Sequence, residues 1–231
     1  MEVIGHRGGA ALAPENTLAG IEAGLAAGAD GVEIDVRLCA DGIPVLMHDV
    51  DVDRTTSGSG RVDVLSLDDL RSLGVPTLER VLELLPADRR LIVELKGTPW
   101  EPGHDPAEPL ARAVGALLAN RATPRLTVSS FNPLALAVFQ TAAPDIATGV
   151  LTSPAFDLDS NLAAVVAHGH DECHVPAEIL DQGFVERAHG AARLVIAWTV
   201  NDPEIVRTLS GWGVDGVITD DPRMALAVLG R

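Results

Sequence analysis

The sequence predicts an α/β fold, a single (β/α)8 TIM barrel, on three observations. Short β-branched runs alternate with Ala- and Leu-rich segments from end to end, the pattern of parallel β-α-β units. Eight such units fit within 231 residues, and eight in succession favour a closed barrel over an open doubly wound sheet. Hydrophobic residues make up 47% of the chain, enough for one buried core, and no interdomain linker is evident, so residues 1–231 are expected to form one domain.

The elements follow in order. The first strand is expected over residues 3–8 (VIGHRG) and its helix near 16–27, with Asn16 after Pro14-Glu15 as a capping residue. Gly28 stands where that helix should end, since glycine takes the left-handed conformation cheaply. The second strand is GVEIDVRL (31–38). An insertion over roughly 39–75 follows it, with a hairpin-like PVLMHD (44–49) and a short helix near 67–73. A helix near 77–85 leads into strand RLIVELK (90–96). The Pro- and Gly-rich stretch 97–109 then reads as a long rim loop, because loops after barrel strands build the active-site face.

Helices near 107–120, 133–142, 159–168, 181–190 and 203–211 alternate with strands at 125–130, 147–152, 172–177, 193–200 and 216–221. A last helix lies near 222–229. The string GADGVEIDV (28–36) is echoed by GVDGVITDD (213–221), which reads as one helix-to-strand turn used twice.

The chain carries 17 basic and 33 acidic residues, a formal net charge of −16. No basic cluster offsets it, so nucleic acid and anionic membranes are not expected as partners. A small anionic substrate would need a bound cation or a local Arg/Lys clamp. Neither a basic leader followed by an apolar run nor a stretch approaching about 20 apolar residues is visible, and the expectation is a cytoplasmic protein without stable membrane insertion. Cys39 and Cys173 are expected as buried free thiols.

The chemistry concentrates at strand ends. Glu33 and Asp35 lie two apart in an apolar strand, so both side chains share a face, while Val32, Ile34 and Val36 take the other. Glu94 and Lys96 repeat this pattern. Carboxylates inside a barrel are costly unless paired or bound to a cation. Two ordinary buried ion pairs would be the bland account, but three acids and one Lys do not balance. Glu33, Asp35 and Glu94 offer only oxygen ligands, which suit one divalent cation, Mg2+ or Ca2+.

His6 and His48 close two strand candidates, and such a pair can serve as general acid and base near neutral pH. Arg7, followed by Gly8-Gly9, and Lys96 can form the phosphate clamp, with Glu15 holding Arg7 or else favouring the start of its helix. His168, His170 and His189 are expected at the surface; His104 and His174 have no assigned place.

These residues stand in HRGG (6–9), PENT (14–17), GVEIDV (31–36), PVLMHD (44–49) and ELK (94–96). Further along come RTTSGSG (54–60), VPTLERVLELL (75–85), SSF (129–131), WTVND (198–202) and GVDGVITDDP (213–222). In this order the set resembles the glycerophosphodiester phosphodiesterase family over nearly the whole chain. The resemblance implies a (β/α)8 barrel that hydrolyses a small-molecule glycerophosphodiester to an alcohol and glycerol 3-phosphate, with the glycerol 2-hydroxyl as internal nucleophile and a cyclic phosphate between the two steps. It also implies Glu33, Asp35 and Glu94 as metal ligands, His6 and His48 as the acid/base pair, and Arg7 and Lys96 as phosphate contacts. Phe131 and Trp198 become apolar walls of the substrate pocket.

Three features depart from the family pattern: Cys39 in place of a Thr, a short segment after His48-Asp49, and the proline-rich 97–109 loop. The alternatives are a lipid-directed, lysophospholipase D-type phosphodiesterase on the same centre, an enolising carboxylate–metal barrel, and a non-catalytic binding barrel.

Overall fold

Strand and helix alternate from the first residues, and the computed structural model describes residues 1–119, 121 and 125–231. The strands are β1 (Glu2–Gly5), β2 (Gly31–Leu38), β3 (Pro44–Leu46), β4 (Arg90–Leu95), β5 (Leu126–Ser130), β6 (Ala147–Leu151), β7 (Glu172–Pro176), β8 (Leu194–Trp198) and β9 (Gly216–Thr219). The helices are α1 (Leu18–Ala26), α2 (Leu67–Ser72), α3 (Leu78–Leu84), α4 (Pro109–Leu118), α5 (Pro133–Ala142), α6 (Leu158–Ala167), α7 (Gln182–Gly190), α8 (Pro203–Gly211) and α9 (Pro222–Val228). The sequence-based end of the fourth-strand helix at residue 120 lies outside the described residues.

Eight strands pair in parallel in the order β1-β9-β8-β7-β6-β5-β4-β2, and β1 also pairs with β2, so the sheet closes on itself. β3 hangs antiparallel on the end of β2, as PVLMHD suggested, and with α2 forms the insertion. The helices clothe the barrel in two apolar clusters. One packs Val32, Ile34 and Val36 of β2 and their neighbours on β4 and β5 against α3, α4 and α5. The other packs β7, β8 and β9 against α6 to α9. A smaller cluster around Cys39, Val45, Met47 and Leu70 holds the insertion. No helix among the described residues is long and apolar enough to cross a membrane.

The repeated helix-to-strand turn is borne out in detail. Gly28 and Gly213 have φ of 96° and 80°, and the aspartates two residues later, Asp30 and Asp215, each accept a hydrogen bond from a neighbouring strand's N–H, Val3 and Val195, at 2.8 Å. Three local expectations fail. The first strand ends at Gly5, and His6–Gly8 form a short 3-10 turn after it, because Arg7 takes a left-handed backbone that a strand does not allow. Thr17, not Asn16, caps α1, its side chain accepting from Gly20 N–H, because Asn16 turns inward with φ of 55°. His170 is buried, not solvated, and its Nδ1 lies 2.9 Å from the Thr148 hydroxyl.

The barrel interior is layered. At its N-terminal end Arg90 lies between Glu2 and Glu172, 2.6 and 2.5 Å away, and the Thr127 hydroxyl donates to Glu172 at 2.9 Å. Above this ionic floor sit Ile4, Ile92, Ile196 and Ile218. Above the isoleucines the interior turns polar again, at the C-terminal mouth.

Candidate active site

Strand register brings the carboxylates together. Asp35 is level with Glu94 across the β2–β4 ladder, Glu94 is level with Ser129 across β4–β5, and Glu33 lies one pleat below Asp35. Among the described residues Glu33, Asp35 and Glu94 offer oxygens that all lie within 4.8 Å of one another. Glu33 is 4% exposed and Asp35 1%. Burial first, then the Asp35 charge beside it, pushes the Glu33 carboxyl up to about 8, and its Oε1 is buried without a partner. Asp35 goes the other way: burial opposes its charge, but Lys96, His48 and Arg7 hold it ionised below the ordinary carboxylate range. An orphaned buried oxygen in an all-oxygen acidic set is the environment that a hard divalent cation relieves, so these residues fit one.

The two cations named from sequence stand over the same carboxylates. Lys96 Nζ is 2.7 Å from Glu94 and 3.4 Å from Asp35. Arg7 bonds Glu15 at 2.7 Å, the first of the two roles open to Glu15, and its Nε lies 3.3 Å from Asp35. Arg7 occupies left-handed backbone (φ 51°, ψ 35°), a conformation that costs a non-glycine residue on the order of 1 kcal/mol or more. That bend points its N–H at Glu33, 3.0 Å away.

The turn carrying Arg7 is pressed onto α1: a Cβ built on Gly24 would stand 1.8 Å from the Gly8 carbonyl oxygen. Gly24→Ala is expected to destabilise the protein by about 1–3 kcal/mol through overpacking, whereas Gly190→Ala, with open space around it, is expected to be neutral within about 0.5 kcal/mol or slightly stabilising. Thermal unfolding of the two variants checks this; equal midpoints would contradict it.

Each of the two histidines at the mouth has a carboxylate on Nδ1. His6 Nδ1 is 2.6 Å from Asp220, which also accepts from the Asn201 amide at 2.6 Å. His48 Nδ1 is 2.7 Å from Asp49, and Arg37 fixes the His48 carbonyl with two N–H bonds of 2.9 and 2.7 Å. A carboxylate on Nδ1 selects the tautomer that leaves Nε2 available. Burial works to lower the His6 pKa, but the Asp220 bond and the Glu33 charge outweigh it, and the net shift is upward.

A cavity of about 110 Å3 is lined by all nine residues singled out from sequence, with His174 and Ser129 added. Phe131 and Trp198 meet edge to face in its wall, ring centroids 5.7 Å apart. His174 is fully buried, bonded through Nε2 to Glu172 at 2.8 Å, and its Nδ1 is without a partner, as are Ser129 Oγ and Trp198 Nε1. His104 stays in the rim loop, 3.7 Å from Glu108.

Sequence reasoning left Asp49, Asp220, Arg37 and Arg54 without roles. Asp49 directly follows His48, and Asp220 occupies in the echoed string the place that Asp35 holds in the first copy, so both had a visible signal. Arg37 had the same signal as Asp35, being two residues further along the inward face of β2.

The profile described as the Glycerophosphoryl diester phosphodiesterase family matches residues 6–224. A glycerophosphodiester phosphodiesterase of Caldanaerobacter subterraneus subsp. tengcongensis is 30% identical over 243 residues, covering 95% of this chain and 94% of its own. A phosphodiesterase of Oleispira antarctica, solved in complex with the product sn-glycerol-3-phosphate, superposes with a TM-score of 0.87 at 29% identity, covering 100% of this chain and 97% of that one. The glycerophosphodiester phosphodiesterase of Thermotoga maritima superposes with a TM-score of 0.84 at 29% identity, covering 100% and 98%. With a family match over residues 6–224, a 30% identical relative covered almost end to end and a shared barrel, the chain belongs to the glycerophosphoryl diester phosphodiesterase family and is by class a phosphoric diester hydrolase.

Proposed function

We propose that the chain, acting as one barrel domain, hydrolyses glycerophosphodiesters to an alcohol and glycerol 3-phosphate through a cyclic phosphate. The observation that carries this reading is the placing of two carboxylate-backed histidines, two cations and three convergent carboxylates around one cavity. Arg7 and Lys96 hold the phosphate oxygens, Arg7 as a planar fork and Lys96 as a point charge. Phe131 and Trp198 shield one side from water. One histidine Nε2 takes the proton of the glycerol 2-hydroxyl as that oxygen attacks phosphorus. The other gives its proton to the alcohol oxygen as the second P–O bond breaks. Water then opens the cyclic phosphate with the two histidines in exchanged roles. Glu33, Asp35 and Glu94 would hold Mg2+ or Ca2+, which when bound supplies Lewis-acid stabilisation of charge on the phosphoryl oxygens.

The internal nucleophile is tested with a 2-deoxy glycerophosphodiester. It keeps the phosphate and the leaving alcohol and should bind as a competitive inhibitor with little turnover, because intramolecular attack is favoured by effective molarities up to about 10^5–10^8 M. Rapid hydrolysis of that compound would mean direct attack by water. Beside the site a cavity of about 270 Å3 is lined by charged residues, among them Lys96 and the Arg37–Glu101 pair at 2.9 Å, and by apolar ones, among them Leu38, Val50, Val62 and Leu110. Comparing turnover of a lysolipid with that of a water-soluble glycerophosphodiester separates the two substrate classes.

A further inference from the structure

The RTTSGSG segment belongs to the motif set but takes no part in the mechanism above. Its first residue, Arg54, projects from the insertion back toward the mouth and forks onto two carboxylates at once. Its Nη1 and Nη2 donate to Glu15 at 2.9 and 2.7 Å, and its Nε donates to Asp49 at 2.6 Å. Glu15 in turn holds Arg7, and Asp49 holds His48 Nδ1 at 2.7 Å. The result is an unbroken chain of alternating charge, Arg7–Glu15–Arg54–Asp49–His48, joining the loop after β1 to the insertion after β3.

We propose that Arg54 is a positioning residue that sets the phosphate-holding Arg7 and the proton-transferring His48 in one geometry, so that its loss impairs phosphate binding and turnover together. This rests on the roles given to Arg7 and His48 above. A surface ion pair alone contributes little. Arg54, however, is about half exposed, and the two carboxylates it grips are mostly covered. Its guanidinium is planar and carries five donors, a shape that suits two carboxylates on different loops, which an ammonium reproduces poorly. The Arg54 bond is the first cause holding both the Glu15 and the Asp49 carboxyl below their ordinary range. Among the described residues no other side chain on this path bridges the two loops: Glu15 bonds there only to Arg7 and Arg54, and Asp49 only to His48 and Arg54.

The test separates the two arms. Turnover of a glycerophosphodiester gives kcat and KM, and calorimetric titration of sn-glycerol 3-phosphate gives phosphate-side affinity without turnover. Arg54→Ala is expected to lower kcat about tenfold or more, up to the roughly 10^2-fold that a small misplacement can cost, and to weaken sn-glycerol 3-phosphate severalfold. Glu15→Gln should move mainly the binding arm and Asp49→Asn mainly kcat. Arg54→Lys, which keeps the charge and the stem, should recover only part of the loss, and added methylguanidinium should restore part of the Arg54→Ala activity. If Arg54→Ala unfolds, Arg54→Lys carries the same comparison. A natively folded Arg54→Ala or Arg54→Lys with wild-type kcat, KM and product affinity overturns the inference. A wild-type protein that hydrolyses no glycerophosphodiester overturns the functional reading instead, and the binding arm still decides on Arg54.

Discussion

Replacing His6 or His48 by alanine is expected to lower kcat by roughly 10^2–10^4-fold, the usual worth of positioned acid/base catalysis. The reason lies in the two carboxylate partners. Asp220 and Asp49 occupy Nδ1 of the two rings, fixing each ring's plane and presenting Nε2 to the cavity. Neither deletion should unfold the protein, because both side chains sit partly exposed at the mouth and outside the isoleucine layer. Steady-state kinetics beside circular dichroism and thermal unfolding reads both halves of the claim. Near-normal rates in both variants would remove the histidines from the mechanism. Asp220→Asn should give a smaller loss than His6→Ala, since it disturbs tautomer and orientation while the ring remains.

The second large effect concerns the acidic centre. Chelation is expected to abolish turnover, and Mg2+ or Ca2+ to restore it. The driving force is visible in the energetics of Glu33: a buried carboxyl pushed up to about 8 by desolvation and by Asp35 gains most from a cation. The same binding should stabilise the fold by mass action, about 2.7 kcal/mol at an ion concentration one hundred times its Kd. Thermal unfolding with and without the ion reads this independently of activity, and Glu33→Gln or Asp35→Asn should shrink the shift. Full activity in rigorously metal-free protein would sink the proposal, as would an unchanged melting midpoint.

Much of this was legible in the sequence because the barrel repeats a simple period. Alternation along GVEIDV placed Glu33 and Asp35 inward and Val32, Ile34 and Val36 outward, and the structure agrees. The insertion, the rim loop and the doubled helix-to-strand turn were equally readable, since glycines and strand lengths mark them. What escaped were contacts between segments far apart in the chain. His6 and Asp220 are 214 residues apart: a closed barrel implies that β1 lies beside β9, but no local pattern announces which side chains meet there. Asn16 reads as a cap because capping residues and inward-turned amides look alike in sequence. Its amide donates to Asp35 at 2.7 Å and its oxygen accepts from the Asp35 N–H at 3.0 Å. His170 is ambiguous for a similar reason: a histidine after Gly169 at a helix end reads as solvent-facing, yet it is buried against the Thr148 hydroxyl.

The ionic floor of the barrel has a consequence for traffic. Arg90, Glu2, Glu172 and Thr127 seal one end, and four isoleucines lie above them, so among the described residues the cavity is closed at its floor and opens toward the mouth. Whatever enters must leave by the way it came. In the proposed reaction the glycerol phosphate lies deeper, against Arg7 and Lys96, and the alcohol lies nearer the opening. The alcohol must therefore depart before water can follow it in to finish the reaction, and the phosphate product goes last. In that reaction the order of release would follow from the shape of the vessel and not from which product binds more tightly.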